Sequence, residues 1–150
     1  MSEKLKVGVI GTGVLGRFHT KLYSENKKVE LVGVYDAMPA AAEKVAKEFG
    51  TKVFPSEEAL ADACDALTIA VPATMHHDSA MPLIAKGKHI LVEKPIDSDV
   101  AAAREMVEAA KEKGIVFAVG HVERFNPAMD YLEKHRTKTL FIEAHRLAKY

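Results

Sequence analysis

The sequence predicts a doubly wound α/β fold, a parallel sheet covered by helices on both faces. Three observations carry this. Short β-rich runs alternate with helical patterns along the chain. Four of those runs are nearly continuous in apolar residues instead of alternating, as strands buried on both faces must be. The first run passes through three glycines straight into a helical pattern.

Taken in order, the strands are expected at Leu5 to Gly11, Glu30 to Tyr35, Lys52 to Phe54, Ala66 to Val71, His89 to Val92 and Val116 to Val119. The first helix should carry Leu15, Phe18 and Leu22 on one face. The second is alanine-rich, from Pro39 to Phe49, and stops at Gly50, which tolerates the left-handed backbone that ends helices. Ser56 can cap a short third helix with Glu57 and Glu58 in its first turn. A fourth, over Ala80 to Lys86, ends at Gly87. Because Pro82 has no amide proton, that helix should begin no earlier than about Asp78, or kink. Ser98 or Asp99 caps a long fifth helix ending at Gly114, with Val100, Ala103, Val107 and Ala110 as its apolar stripe. After residue 120 the pattern changes. Asn126-Pro127 leads into an amphipathic stretch, Met129 to Lys138, and Leu140 to Arg146 reads as a half-solvated strand of an antiparallel sheet. The expected division is a nucleotide-binding domain over 1–120, then a linker and the first strand of a second, α+β domain over 121–150.

Composition narrows the function classes. The chain has 150 residues, 48% hydrophobic and 28% charged, enough for one self-sufficient core. Lys plus Arg number 21 and Asp plus Glu 21, so the chain lacks the basic field of a nucleic-acid or anionic-membrane binder. Cys64 is the single cysteine, which points to a reducing compartment. No apolar run reaches the ~20 residues of a membrane span, and Met1-Ser2-Glu3-Lys4 is unlike a signal peptide. The expectation is a cytoplasmic protein with no nucleic-acid or membrane partner.

Gly11, Gly13 and Gly16 form a GxGxxG motif at a strand-to-helix turn, the context of the Rossmann dinucleotide fingerprint. Gly11 permits the tight turn. Gly13 lets backbone approach a pyrophosphate, and Gly16 lets helix and strand pack closely. The loop residues Gly11, Thr12, Gly13, Val14, Leu15 and Gly16 are therefore cofactor-binding candidates, with the helix amides facing the phosphates. Asp36 stands 20 residues beyond Gly16, where ribose hydroxyls belong. An acid there favours NAD and repels the 2′-phosphate of NADP, and no Arg or Lys follows closely. The competing reading of Asp36 is a helix cap, and S-adenosylmethionine and flavin are the competing ligands of the glycine loop. Val71 and Pro72 close the fourth strand at its carboxyl end, where ligands bind in open α/β sheets. His76, His77 and Asp78 follow, but adjacent histidines rarely converge on one metal ion, so no metal site is expected.

Ile90-Leu91-Val92 runs into Glu93-Lys94-Pro95. A lysine at a strand end beside a cofactor crevice can handle a proton or stabilise charge on a reacting oxygen, and partial burial would tune it. A surface Glu–Lys pair before a turn is the plainer alternative. Together, Gly11-Gly13-Gly16, Asp36, Pro72 with His76, Gly87-Lys88-His89, Glu93-Lys94-Pro95 and Arg124-Phe125-Asn126-Pro127 resemble the glucose–fructose oxidoreductase/inositol dehydrogenase (Gfo/Idh/MocA) family, over essentially the whole chain. The segment from Val119 to Ala128 is most similar to family members that act as UDP-N-acetylglucosamine 3-dehydrogenases.

The resemblance implies an NAD(P)-dependent oxidoreductase that moves hydride between nicotinamide and a secondary alcohol of a sugar, cyclitol or sugar nucleotide. It implies that Lys94 is the catalytic residue holding the reacting hydroxyl, and that Glu93 lies beside the nicotinamide ribose. It further implies a cis Lys94–Pro95 bond, His76 near the cofactor, and Arg124 and Asn126 in the turn between domains. Arg124 and Asn126 could equally serve only as hinge caps. NAD is the expected cofactor, with NADP second. A homo-oligomer is the expectation for a full-length form. Family members also use a histidine in an Asp-x-x-x-His motif. Here Asp130 is followed four positions later by Lys134, and no such motif occurs between Arg124 and Tyr150. The chain is therefore expected to be a truncated dehydrogenase that binds NAD without completing catalysis. The alternatives are a non-catalytic NAD-sensing module and a methyltransferase, and the Glu93-Lys94-Pro95 turn argues against both.

Overall fold

In the computed structural model, which describes residues 4–138, 140–145 and 147, the chain divides into two units, Met1–Gly120 and His121–Tyr150. The first is a six-stranded, wholly parallel sheet. Its strands are β1 (Leu5–Ile10), β2 (Val29–Tyr35), β3 (Lys52–Val53), β4 (Ala66–Ile69), β5 (His89–Val92) and β6 (Phe117–Val119), in the order β3-β2-β1-β4-β5-β6. The chain crosses from one edge back to the centre between β3 and β4. This makes the carboxyl ends of β1 and β4 a topological switch point, the place where such sheets open a crevice.

Neighbouring residues of one strand point to opposite faces, and the core divides accordingly. Val9 and Val34 join Ala42, Val45 and Ala46 in one cluster, against which Tyr23 and Phe49 pack. Ile10, Ile69 and Val92 join Leu60, Leu83, Ile84 and Met106 in the other. The first face is therefore covered by α1 (Val14–Glu25) and α2 (Pro39–Phe49). The second is covered by α3 (Glu57–Ala63), α4 (His76–Ala85) and α5 (Val100–Lys113). α3 sits so close to β1 that a side chain on Gly8 would meet Leu60 at 2.9 Å. Leu60 is wholly buried. Leu60→Ala should lower the unfolding free energy by about 2–5 kcal/mol, read from the midpoint shift in urea with an unchanged m-value. A shift below about 0.5 kcal/mol would show that the site collapses around the loss.

Helix ends follow the sequence signals. Ser56 Oγ accepts from Ala59 N at 3.1 Å, Asp99 Oδ1 accepts from Ala101 and Ala102 N, and Gly50 and Gly114 end their helices at φ 67° and 66°. Three expectations change. On α1, Leu15, Phe18 and Leu22 share a face but it is exposed (42%, 51% and 62%). Gly16 and Thr20 turn to the sheet instead, because the small pair allows the close approach that the glycine turn imposes. The stripe on α5 is rotated: Met106 and Ala110 are buried, whereas Val100 and Val107 are exposed. α4 starts at His76, not Asp78, with Pro82 inside it. The proline forfeits only the bond to the Asp78 carbonyl, on the exposed side of the helix.

The second unit holds a 3-10 turn over Val122–Phe125 and α6 (Pro127–His135), with Tyr131 stacked on His135 at 4.1 Å between ring centroids. The strand expected from Leu140 to Arg146 does not form over the described residues 140–145, and Arg146 lies outside them. A strand exists only against a ladder partner, and no antiparallel pairing occurs among the described residues. No helix among the described residues is long and apolar enough to cross a membrane.

Candidate active site at the switch point

The glycine turn is built by close contacts. Gly11 has φ 85°, and a side chain there would strike the Ala70 carbonyl at the end of β4 (2.7 Å). A side chain on Gly16 would land on the carbonyl oxygen of Gly11. Gly13 differs, since a Cβ there would point into open space. It is also the N-cap of α1, so the helix begins with no capping side chain and no acid in its first turn. α3, α5 and α6 have capping side chains, whereas α2 and α4, like α1, have none; α2 opens on Pro39 and α4 has Asp78 in its first turn. The first-turn amides of α1 are thus left for another acceptor, with the positive end of the helix dipole behind them.

Asp36, just beyond β2, is tied to this turn. Its Oδ2 accepts from Thr12 N (2.6 Å) and Thr12 Oγ1 (2.8 Å), while Oδ1 accepts from Met38 N (2.8 Å). Burial pushes the carboxyl up, but the three hydrogen bonds outweigh it and hold Asp36 below the ordinary aspartate range. A depressed folded value stabilises the fold fully above the ordinary range near ~3.9. That contribution is lost as pH falls through the lower folded value. Asp36 therefore remains a carboxylate at every pH near neutral.

Gly11, Gly13, Val14, Leu15, Asp36, Val71 and Pro72 line a single cleft of about 410 Å³, within the range of small-molecule sites. Thr12 and Gly16 stand behind its wall, Thr12 bonded to Asp36 and Gly16 packed on Gly11.

His76, expected near the cofactor, is buried, with both ring nitrogens occupied by backbone. Nε2 lies 3.0 Å from Val71 O, and Nδ1 lies 3.0 and 3.2 Å from Pro95 O and Ile96 O. It clamps the loop after β4 to the turn after β5 and leaves no nitrogen for a ligand. The Lys94–Pro95 bond is cis. Lys94 is exposed.

Glu93 is buried, and two partners fix it, one of them on a distant helix. His19 Nε2 on α1 lies 2.7 Å from Glu93 Oε1, and Lys94 N donates to Oε2 at 3.2 Å. Gly120 completes the fit, because a side chain there would press on the carboxylate at 3.0 Å. A histidine three residues beyond Gly16 and a glycine closing the last strand were the available signals, but pairing them required the fold. Glu57, read only as a first-turn acid, also lines the cleft. Cys64 is buried in the core, its thiol pushed up to about 12 mainly by burial.

The comparisons accord with this geometry. A family model described as "Oxidoreductase family, NAD-binding Rossmann fold" matches residues 5–121. The chain belongs to the Gfo/Idh/MocA oxidoreductase family. Among its Gfo/Idh/MocA relatives is the UDP-N-acetylglucosamine 3-dehydrogenase of Acidithiobacillus ferrooxidans, 37% identical over 97% of this chain and 46% of that protein. The solved structure of that enzyme matches with a TM-score of 0.83, covering 89% of this chain and 43% of the other. An inositol 2-dehydrogenase of Rhizobium meliloti is 37% identical over 82% of this chain and 38% of its own length. GenD2 from gentamicin A biosynthesis, solved in complex with NAD, matches with a TM-score of 0.74 at 36% identity, covering 80% and 35%. The chain thus spans less than half the length of these Gfo/Idh/MocA relatives.

Arg124 and Asn126 lie in the second unit. Asn126 Oδ1 caps α6 by accepting from Ala128 N at 3.0 Å, and its Nδ2 donates to Glu123 at 2.9 Å. Arg124 lies in the 3-10 turn.

Proposed function

We propose that this chain is the NAD(H)-binding part of a dehydrogenase acting on a secondary alcohol of a sugar, cyclitol or sugar nucleotide. The observation that carries the reading is the uncapped start of α1 beside the open face of Gly13, with Asp36 anchored across the same cleft. The first-turn amides around Val14 and Leu15 receive the pyrophosphate. Asp36 keeps lone pairs free for ribose hydroxyls and repels a 2′-phosphate, and no Arg or Lys stands between it and Lys44 to offset that repulsion. This makes NAD the preferred cofactor over NADP.

Bound NAD supplies a hydride acceptor. The chain's own residues supply the positioning. Glu93, held by His19 and the Lys94 amide, forms a fixed acceptor at the end of β5. The exposed Lys94 side chain next to it can hold a substrate hydroxyl by hydrogen bonding. The relatives named above support the substrate class. Residues 124–150 hold no Asp-x-x-x-His motif, so we assign cofactor binding, and not turnover, to these 150 residues.

Titrating the chain with NADH and following nicotinamide fluorescence tests the reading. Saturable binding below millimolar concentration is expected, and its absence there overturns the proposal. A second titration addresses selectivity. Asp36→Ala combined with Ala37→Arg should weaken NAD binding about tenfold and reverse the preference toward NADP, which corresponds to ~1.4 kcal/mol or more. An unchanged preference would remove Asp36 as the ribose ligand.

A further inference from the structure

Glu57 is the second carboxylate in the wall of the cleft, beside Asp36. It opens α3 and is half-buried. Its Oε1 accepts from Ser79 Oγ of α4 at 3.1 Å, and Ser79 is itself buried. Oε2 has no hydrogen-bond partner among the described residues. Burial pushes the carboxyl up against the opposing pull of the Ser79 bond. Oε2 is thus an open acceptor at the cleft wall that a ligand N–H can reach.

The neighbours of Glu57 indicate which part of a ligand supplies the donor. The cleft that holds the start of α1 and Asp36 is also lined by Ala37, Val71 and Met75. In the NAD reading the ribose stops at Asp36, so the base attached to it enters this apolar end, where Glu57 is the ionisable group. We propose that Glu57 reads the purine base of the dinucleotide, with Oε2 accepting a hydrogen bond from an exocyclic amino group at the purine 6-position. Ser79 is the positioning residue: its bond to Oε1 fixes the carboxylate with Oε2 turned to the base. Adenine carries an amino group at that position, whereas hypoxanthine carries a carbonyl oxygen and would set acceptor against acceptor. A site built to hydrogen-bond a donor discriminates strongly against the analogue lacking it, because its own acceptor is left unpaired.

This inference rests on the NAD reading, and the experiment separates the two. Calorimetric titration of the chain compares NAD with nicotinamide hypoxanthine dinucleotide. Wild type should favour NAD by about tenfold or more. Glu57→Gln, of the same shape but able to donate to a 6-carbonyl, should bring the ratio to unity or invert it. Ser79→Ala should reduce the ratio partway. A helix-capping acid alone would leave the ratio untouched by either variant, so an unchanged ratio in Glu57→Gln overturns the proposal. Equal affinity of wild type for the two dinucleotides overturns it without any variant. Binding of neither dinucleotide at millimolar concentration overturns the NAD reading instead.

Discussion

Gly16→Ala should destabilise the protein by about 3 kcal/mol or more and abolish NADH binding with it. The added methyl falls on the Gly11 carbonyl oxygen, which is backbone and cannot rotate away. Relief requires α1 to lift from β1 and β4, which uncovers its buried side, where Gly16 and Thr20 pack against the sheet. Gly13→Ala is the matched control. Its methyl meets nothing within 4 Å, so urea denaturation should place it within ~1 kcal/mol of wild type. Its NADH affinity should still fall at least tenfold, because the methyl occupies the space assigned to the pyrophosphate. Denaturation and titration of both variants thus separate a packing glycine from a ligand-facing one. A Gly16→Ala protein as stable as wild type, or a Gly13→Ala protein that binds normally, would contradict this assignment.

His76→Ala should cost about 2–4 kcal/mol, combining the space left by a fully buried ring with the loss of partners for the Val71, Pro95 and Ile96 carbonyls. The effect should extend beyond stability. The imidazole is the link between the loop after β4, which lines the cleft, and the turn that carries Lys94. Hydrogen exchange should therefore quicken at amides of both segments, for example Lys94 and Met75, while the ladder amides of β1 keep their protection. Uniform quickening throughout the sheet would mean that the ring only fills space. Equal stability of the variant and wild type would remove the clamp altogether.

Much of this architecture was readable from local chemistry. The glycine punctuation and the caps at Ser56 and Asp99 follow from short-range signals and are satisfied by short-range contacts, whereas the strands carry local signals but pair with partners distant in sequence. The features that sequence could not yield depend on distant partners. The apolar stripe of Leu15, Phe18 and Leu22 has the right period for a core face, but period alone does not say which side meets the sheet. The collision at Gly16 decides that. The same holds for α5, where Met106 displaces Val107 from the buried row. In the cleft, residue types were legible and their partners were not. Glu93 and Lys94 stand out in the chain, whereas His19, 74 positions earlier, becomes relevant only when α1 packs across the sheet. Glu57 reads as a helix-terminal acid until α4 brings Ser79 against it.

The bond between Thr12 and Asp36 spans two βα units, so the glycine turn and the acid of the second strand are held in register before any ligand arrives. Entropy that a loose loop would surrender on binding has then already been spent in folding. Association should run at a rate set by diffusion and orientation, without a slow loop-ordering phase, so differences in affinity among nucleotides should appear in how long each stays bound. Loosening that latch with Thr12→Val, which removes the Oγ1 bond and keeps the one from the Thr12 amide, would expose the arrangement kinetically, as a slower approach to binding by a protein that still folds.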